Sequence, residues 1–252
     1  MPSELNIQTS TITISGEIYP GKTPPLPHAS ISGFEARPVD PAQVRGGLVL
    51  IQEIFGVNHS IQELSRHYAS LGFWVIAPAF FDHVEPNVQL GYADADLKKG
   101  MSLLTAVGFE QCLADTKQAG IDLNTKLSTL PGSKRKTAIV GYCLGGSLVW
   151  AAACKTSGIF SAGSGYYGGG ILQMKDEQPN IPVILHFGKK DAHIPLDGIQ
   201  KIQDAHPNIP VYLYEADHGF ANTDKTVFHQ DSSDLAEKRT LDFFAKCLGK
   251  LN

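Results

Sequence analysis

Residues 136–147 read Lys136-Thr137-Ala138-Ile139-Val140-Gly141-Tyr142-Cys143-Leu144-Gly145-Gly146-Ser147, and this stretch decides the fold. Ile139 to Tyr142 has the form of a short buried strand, and Gly146 to Ala153 that of a helix. Between them, Gly141 to Gly145 has the pattern glycine, any residue, nucleophile, any residue, glycine, the signature of a sharp strand-to-helix turn that holds one side chain over a cleft. In so tight a turn a Cβ at 141 or 145 would collide with the neighbouring strand and helix. Cys143 then stands at a helix start, where unpaired N–H groups and the macrodipole favour negative charge on sulfur. The competing reading is that Cys143 is simply a buried cysteine.

Outward from this turn, strands and helices alternate. Leu48 to Gln52 reads as a strand, and Ile61 to Ser70 as a helix opened by a capping box at Ser60 and Glu63 and closed at Gly72. Phe73 to Ala77 is the next strand, residues 92 to 119 a helical stretch, Phe160 to Tyr166 another strand, and residues 234 to 248 a closing amphipathic helix. The segment Pro179-Asn180-Ile181-Pro182-Val183 recurs as Pro207-Asn208-Ile209-Pro210-Val211, which predicts two parallel strands entering the sheet at one edge. Upstream, residues 5 to 15 and Ser30 to Val39 alternate polar and apolar and predict an antiparallel pair. Tyr19 to Pro27 between them, rich in proline, predicts a surface loop. The rhythm implies a single α/β domain over residues 1–252, a mostly parallel sheet with helices on both faces and an N-terminal antiparallel strand pair.

Composition narrows the function classes. With 42% hydrophobic and 18% charged residues and a formal net charge of −4, the chain has ordinary globular character and no broad cationic surface for nucleic acid. Residues 1 to 20 show no basic leader followed by an apolar stretch, and the longest apolar runs are too short to span a bilayer, so a soluble cytoplasmic protein without membrane partners is expected. The four cysteines (Cys112, Cys143, Cys154, Cys247) form no C-x-x-C pair, which argues against a zinc ribbon or redox dithiol; the three other than Cys143 are expected inside helices. His59, His186, His193 and His229 lack metal-ligand spacing, so neither metal nor other cofactor is expected. A monomer is expected, with a dimer as the alternative.

A nucleophile on such a turn needs a base and a carboxylate that orients it, in the chain order nucleophile, acid, histidine. Cys143, Asp191 and His218 supply that order, the last two directly after the Val183 to Phe187 and Val211 to Glu215 strands, where open α/β sheets place their sites. Asp217 adjoins His218 but should project differently. Glu53 ends an apolar strand on the same edge; a salt bridge to a basic neighbour is the plain alternative for it.

The chain resembles the dienelactone hydrolase family, a cysteine-nucleophile branch of the α/β-hydrolases. The resemblance rests on Gln52 to Asn58, Gly141 to Gly146, Gly165 to Gly168, the Asp191 loop ending at Pro195, His218 to Ala221, and Thr240 to Phe244. It implies a Cys143, His218, Asp191 triad, with Glu53 holding the resting thiol protonated and moving when substrate arrives. It further implies an oxyanion hole from the backbone N–H groups of Ile54 and Leu144, and a thioester acyl-enzyme on the way to hydrolysing a small ester or lactone. Family members acting on dienelactone use two arginines for the substrate carboxylate, at positions held here by His83 and Asn222. With Phe55, Phe80, Phe81, Tyr166 and Phe220 expected to make the mouth aromatic, a neutral or weakly anionic substrate is implied. Two readings of other classes stay open: a catalytically weak small-molecule receptor or interaction module on the same scaffold, and a thiol redox enzyme, for which no resolving cysteine is at hand.

Overall fold

The computed structural model describes residues 5–16, 18–20, 26–132 and 134–249. The described residues form eight strands in one sheet: β1 (Ile7–Ser15), β2 (Ser30–Pro38), β3 (Gly46–Ile51), β4 (Phe73–Pro78), β5 (Thr137–Tyr142), β6 (Ala162–Tyr166), β7 (Val183–Gly188) and β8 (Val211–Tyr214). Their spatial order is β1-β2-β4-β3-β5-β6-β7-β8. β1 pairs antiparallel with β2 and β2 with β4, while every other neighbour is parallel. The interior strands β3 to β7 are buried along their whole length, as expected where helices cover both faces of a parallel sheet.

Side chains alternate between two cores. Leu48, Leu50, Val75 and Val140 face α1 (His59–Ser70) and α6 (Gln230–Leu248). Val49, Ile51, Ile76 and Ile139 face α2 (Asp94–Val107), α3 (Phe109–Ser128) and residues such as Leu148 of α4 (Leu144–Lys155). The repeated Pro-Asn-Ile-Pro-Val segments do open adjacent parallel strands, with Leu185 of β7 paired to Val211 of β8. Thr240 on α6 fixes part of this architecture, because its hydroxyl meets Ser164, Tyr166 and His186 in the buried layer. Burial lowers the pKa of His186 to about 3, with the Arg239 charge acting in the same direction, so this ring is neutral and structural.

Two local expectations are corrected. The cap of α1 is Asn58, whose side-chain oxygen accepts from the Ile61 N–H at 3.5 Å; Ser60 lies inside the helix and is buried. The helical stretch over residues 92 to 119 is two helices, α2 and α3, broken at Gly108 with φ 86°, a conformation open to glycine and costly for other residues. The proline-rich loop is described at both ends, and its residues 21–25 lie outside the described residues.

Candidate active site

The turn after β5 is built by steric necessity. Cys143 has φ 55° and ψ −111°, a strained backbone for a residue with a Cβ, and strain of this kind concentrates at functional turns. A Cβ at Gly141 would run into the Gly145 carbonyl, one at Gly145 into that of Ile51, and one at Gly146 into that of Tyr166. The Cys143 N–H is bonded to the Tyr166 carbonyl at 3.0 Å. Leu144 opens α4, so its N–H belongs to the set a helix leaves without internal partners.

The loops after β7 and β8 bring an acid and a base to the same cleft. They are laced together by backbone bonds from Lys189 N to Tyr214 O (2.8 Å) and Lys190 N to Ala216 O (3.0 Å). Asp191 is buried; its Oδ1 accepts from the N–H groups of His193 (2.8 Å) and Ile194 (3.2 Å), and its Oδ2 from His218 Nδ1 (2.7 Å). With Nδ1 occupied, Nε2 is the ring atom left for the Cys143 thiol, which lies on the same cleft wall. Burial works against charge on this imidazole, but the bonds to Asp191 and Cys143 and their negative charge outweigh it and raise its pKa to about 10. Asp217 does not compete as orienting acid, because its Oδ1 accepts from the backbone N–H of His218 (2.6 Å) and not from the ring.

Glu53, just past β3, is buried and paired, as the plainer sequence reading allowed. Its Oε2 accepts from Asn222 Nδ2 (2.8 Å) and its Oε1 from Lys225 Nζ (3.1 Å). The ammonium group also lies 5.0 Å from the ring centre of Phe55 and 5.3 Å from that of Tyr92. In this arrangement both carboxylate oxygens are engaged on the Asn222 and Lys225 side.

Cys143 and His218 lie on the wall of a cleft of about 860 Å³, together with Ile54, Phe55 and Leu144, a volume within the range of small-molecule sites. Six residues expected at the substrate site are not among its lining. Phe80 and Phe81 are buried in the core on the α3 side, and Tyr166 and Phe220 in the opposite core. His83 is buried between the His28 carbonyl (Nδ1, 2.6 Å) and Asp115 (Nε2 to Oδ2, 2.9 Å). Asn222 spends its amide on Glu53 and on Tyr92 Oη (3.0 Å), behind the cleft wall. These side chains follow strand ends, as site residues do, but their chain turns inward.

The lining residues that sequence reading missed include Lys225, Tyr92 and an apolar wall from α2 and the start of α3, namely Leu97, Met101, Leu104 and Phe109. The signal for the wall was present: α2 carries Gly100, Leu103 and Val107 on one stripe and Leu97, Met101 and Leu104 on the next, more than one buried face requires. Lys225 sits seven positions beyond His218 in an irregular loop, where no periodicity points to it. Among the described residues, no group of three or more His, Cys, Asp or Glu side chains is arranged to hold a metal ion, and no helix is long and apolar enough to cross a membrane.

Comparison with known proteins places the chain in a family. Residues 31–248 match the dienelactone hydrolase family. The carboxymethylenebutenolidase of Pseudomonas putida is 30% identical over 81% of this chain and 86% of its own length. Carboxymethylenebutenolidase 1 of Cupriavidus pinatubonensis is 29% identical over 79% and 85%. In three dimensions, a candidate dienelactone hydrolase from Klebsiella pneumoniae superposes with a TM-score of 0.78 at 23% identity, covering 96% of this chain and 99% of that one. A dienelactone hydrolase-like promiscuous phosphotriesterase from metagenomic libraries gives 0.70 at 18% identity, covering 96% and 99%.

Proposed function

The chain belongs to the dienelactone hydrolase family, and from that premise we propose that it hydrolyses carboxylic esters or lactones through a thioester on Cys143. His218 is the proton carrier and Asp191 its orienting carboxylate. What supports this most is the 2.7 Å bond from His218 Nδ1 to Asp191 Oδ2, which leaves the other ring nitrogen for a sulfur held on a strained turn.

The Cys143 sulfur, as thiolate beside the imidazolium, attacks the acyl carbon, and the carbonyl electron pair moves to oxygen. The backbone N–H groups of Ile54 and Leu144 receive that oxyanion; donors of this kind contribute about 3 kcal/mol each to the transition state. Collapse expels the alkoxide, which takes its proton from His218 Nε2, and leaves the thioester. The now neutral imidazole takes a proton from water, the hydroxide adds to the thioester, and the sulfur departs as thiolate beside a renewed imidazolium. Glu53 acts from behind the nucleophile: held off by Asn222 and Lys225 it leaves Cys143 to His218, and released from them its charge would oppose the thiolate.

The substrate is a neutral or weakly anionic ester. Lys225 lines the cleft with its charge already matched by Glu53, and Asp217 and Asp224 stand in the same lining, so a substrate carboxylate would meet no unmatched cation there. Steady-state assays on paired esters that differ only by a carboxylate test this: kcat/KM should favour the neutral member, and strong preference for the anionic one would overturn it.

A further inference from the structure

The α2 helix carries two apolar stripes, and only one of them is packed. Gly100, Leu103 and Val107 are buried against the body of the protein; a Cβ at position 100 would strike the Ile54 carbonyl, so the helix rests directly on the segment that supplies one oxyanion donor. On the adjacent stripe, Leu97 and Met101 are 44% and 52% exposed, and with Leu104 they line the cleft that contains Cys143. Leaving two large apolar side chains in water forgoes the stabilisation that covering them gives. Their position inside a cleft of about 860 Å³ means that what covers them is what the cleft binds.

The direction of the substrate follows from the chemistry. During acylation the leaving oxygen must lie within reach of His218 Nε2, and the carbonyl oxygen must lie at Ile54 and Leu144. The acyl substituent then extends away from His218, on the side where α2 rests on Ile54. Beside His218 the lining is polar, with His193, whose ring centre is 5.3 Å from that of His218, and Asp217. We propose that the Leu97, Met101 and Leu104 stripe of α2 is the acyl-chain subsite, and that the substrates are neutral esters or lactones bearing an extended apolar acyl chain. This rests on the ester-hydrolase reading above and specifies its substrate class.

A series of 4-nitrophenyl alkanoates from acetate to octanoate tests it on the full-length enzyme. In the wild type, kcat/KM should rise about two- to fourfold per added methylene, the scale set by transferring a methylene out of water. In Leu97→Asp/Met101→Asp the ratio of octanoate to acetate kcat/KM should collapse by at least tenfold, and in the milder Leu97→Ala/Met101→Ala it should fall part of the way. Leu235→Asp, which removes a similarly exposed leucine of α6 away from the cleft, should keep the wild-type ratio. A flat or falling wild-type profile, or a rise that survives in both double variants, would overturn the subsite while leaving the hydrolase reading intact. If no member of the series, acetate included, is turned over, the hydrolase reading itself fails and the subsite falls with it.

Discussion

Among the described residues, two buried or near-buried histidine–aspartate pairs have almost the same geometry. His218 meets Asp191 at 2.7 Å, and His83 meets Asp115 at 2.9 Å. What separates them is the second ring nitrogen. In His83 it is taken by the His28 carbonyl, and the pair ties the short 3-10 turn after β4 to α3 and to the chain before β2. In His218 it faces a sulfur on a cleft wall. A histidine–carboxylate pair is thus a machine part only where the ring has an atom to spare and a cavity to spend it in; otherwise it is a fastener.

Mutation should separate the two pairs by what each one loses. The largest effect is expected at Cys143→Ala, with turnover of a small aryl ester lowered about 10⁴-fold or more, as for loss of a nucleophile elsewhere; retention of a tenth of the activity would remove Cys143 from the chemistry. Asp191→Asn should cost about 10³- to 10⁴-fold in kcat with the fold retained, because the imidazole loses its oriented tautomer. Proton NMR of the ring should also show His218 titrating lower than in the wild type, because the bond to Asp191 that raises its pKa is lost. His83→Gln should do the reverse: thermal and urea unfolding should register a loss of about 3 kcal/mol, the scale of stranding one member of a buried pair, while kcat/KM per folded molecule stays within twofold.

The pH dependence of that stability has a definite sign. Burial opposes charge on His83, but the hydrogen bond and charge of Asp115 and the His28 carbonyl outweigh it, so its folded-state pKa is raised above 6.5. The pair's contribution is complete below pH 6.5 and is lost as pH rises through the folded value. Wild-type stability should decline over that interval relative to His83→Gln, and parallel profiles for the two proteins would contradict the assignment. The smallest effect concerns Glu53. Alkylation of Cys143 by iodoacetamide should be a few-fold faster in Glu53→Ala and a few-fold slower in Lys225→Met, where the carboxylate loses its ammonium partner; rates moving together would discard the electrostatic role.

Much of this was legible in the sequence, for identifiable reasons. The glycines around Cys143 are fixed by carbonyl oxygens that any Cβ would strike, so the turn announces itself. The order of Asp191 and His218 follows from two strands that start with the same five-residue phrase. The break at Gly108 was not legible, since Gly100 and Gly120 lie within the flanking helices and a glycine alone does not say which of the three ends a helix. At Asn58 and Ser60, two residue types suited to capping stand two positions apart, and the choice between them depends on where the chain enters. The cleft wall was misread for a similar reason. Phe80, Phe81, His83, Tyr166 and Phe220 follow the productive edge of the sheet in sequence, but the direction in which a loop turns is set by tertiary packing, and here α2 forms the wall instead.

Rapid-quench mass spectrometry can catch the acyl group on the Cys143 sulfur. Enzyme mixed with 4-nitrophenyl butyrate and stopped in acid within the first turnover should carry one butyryl group on the peptide containing Cys143, labile to hydroxylamine and formed in step with a burst of nitrophenolate. Steady turnover with that peptide unmodified at every time point, or with the acyl group on a different residue, would contradict a thioester on Cys143.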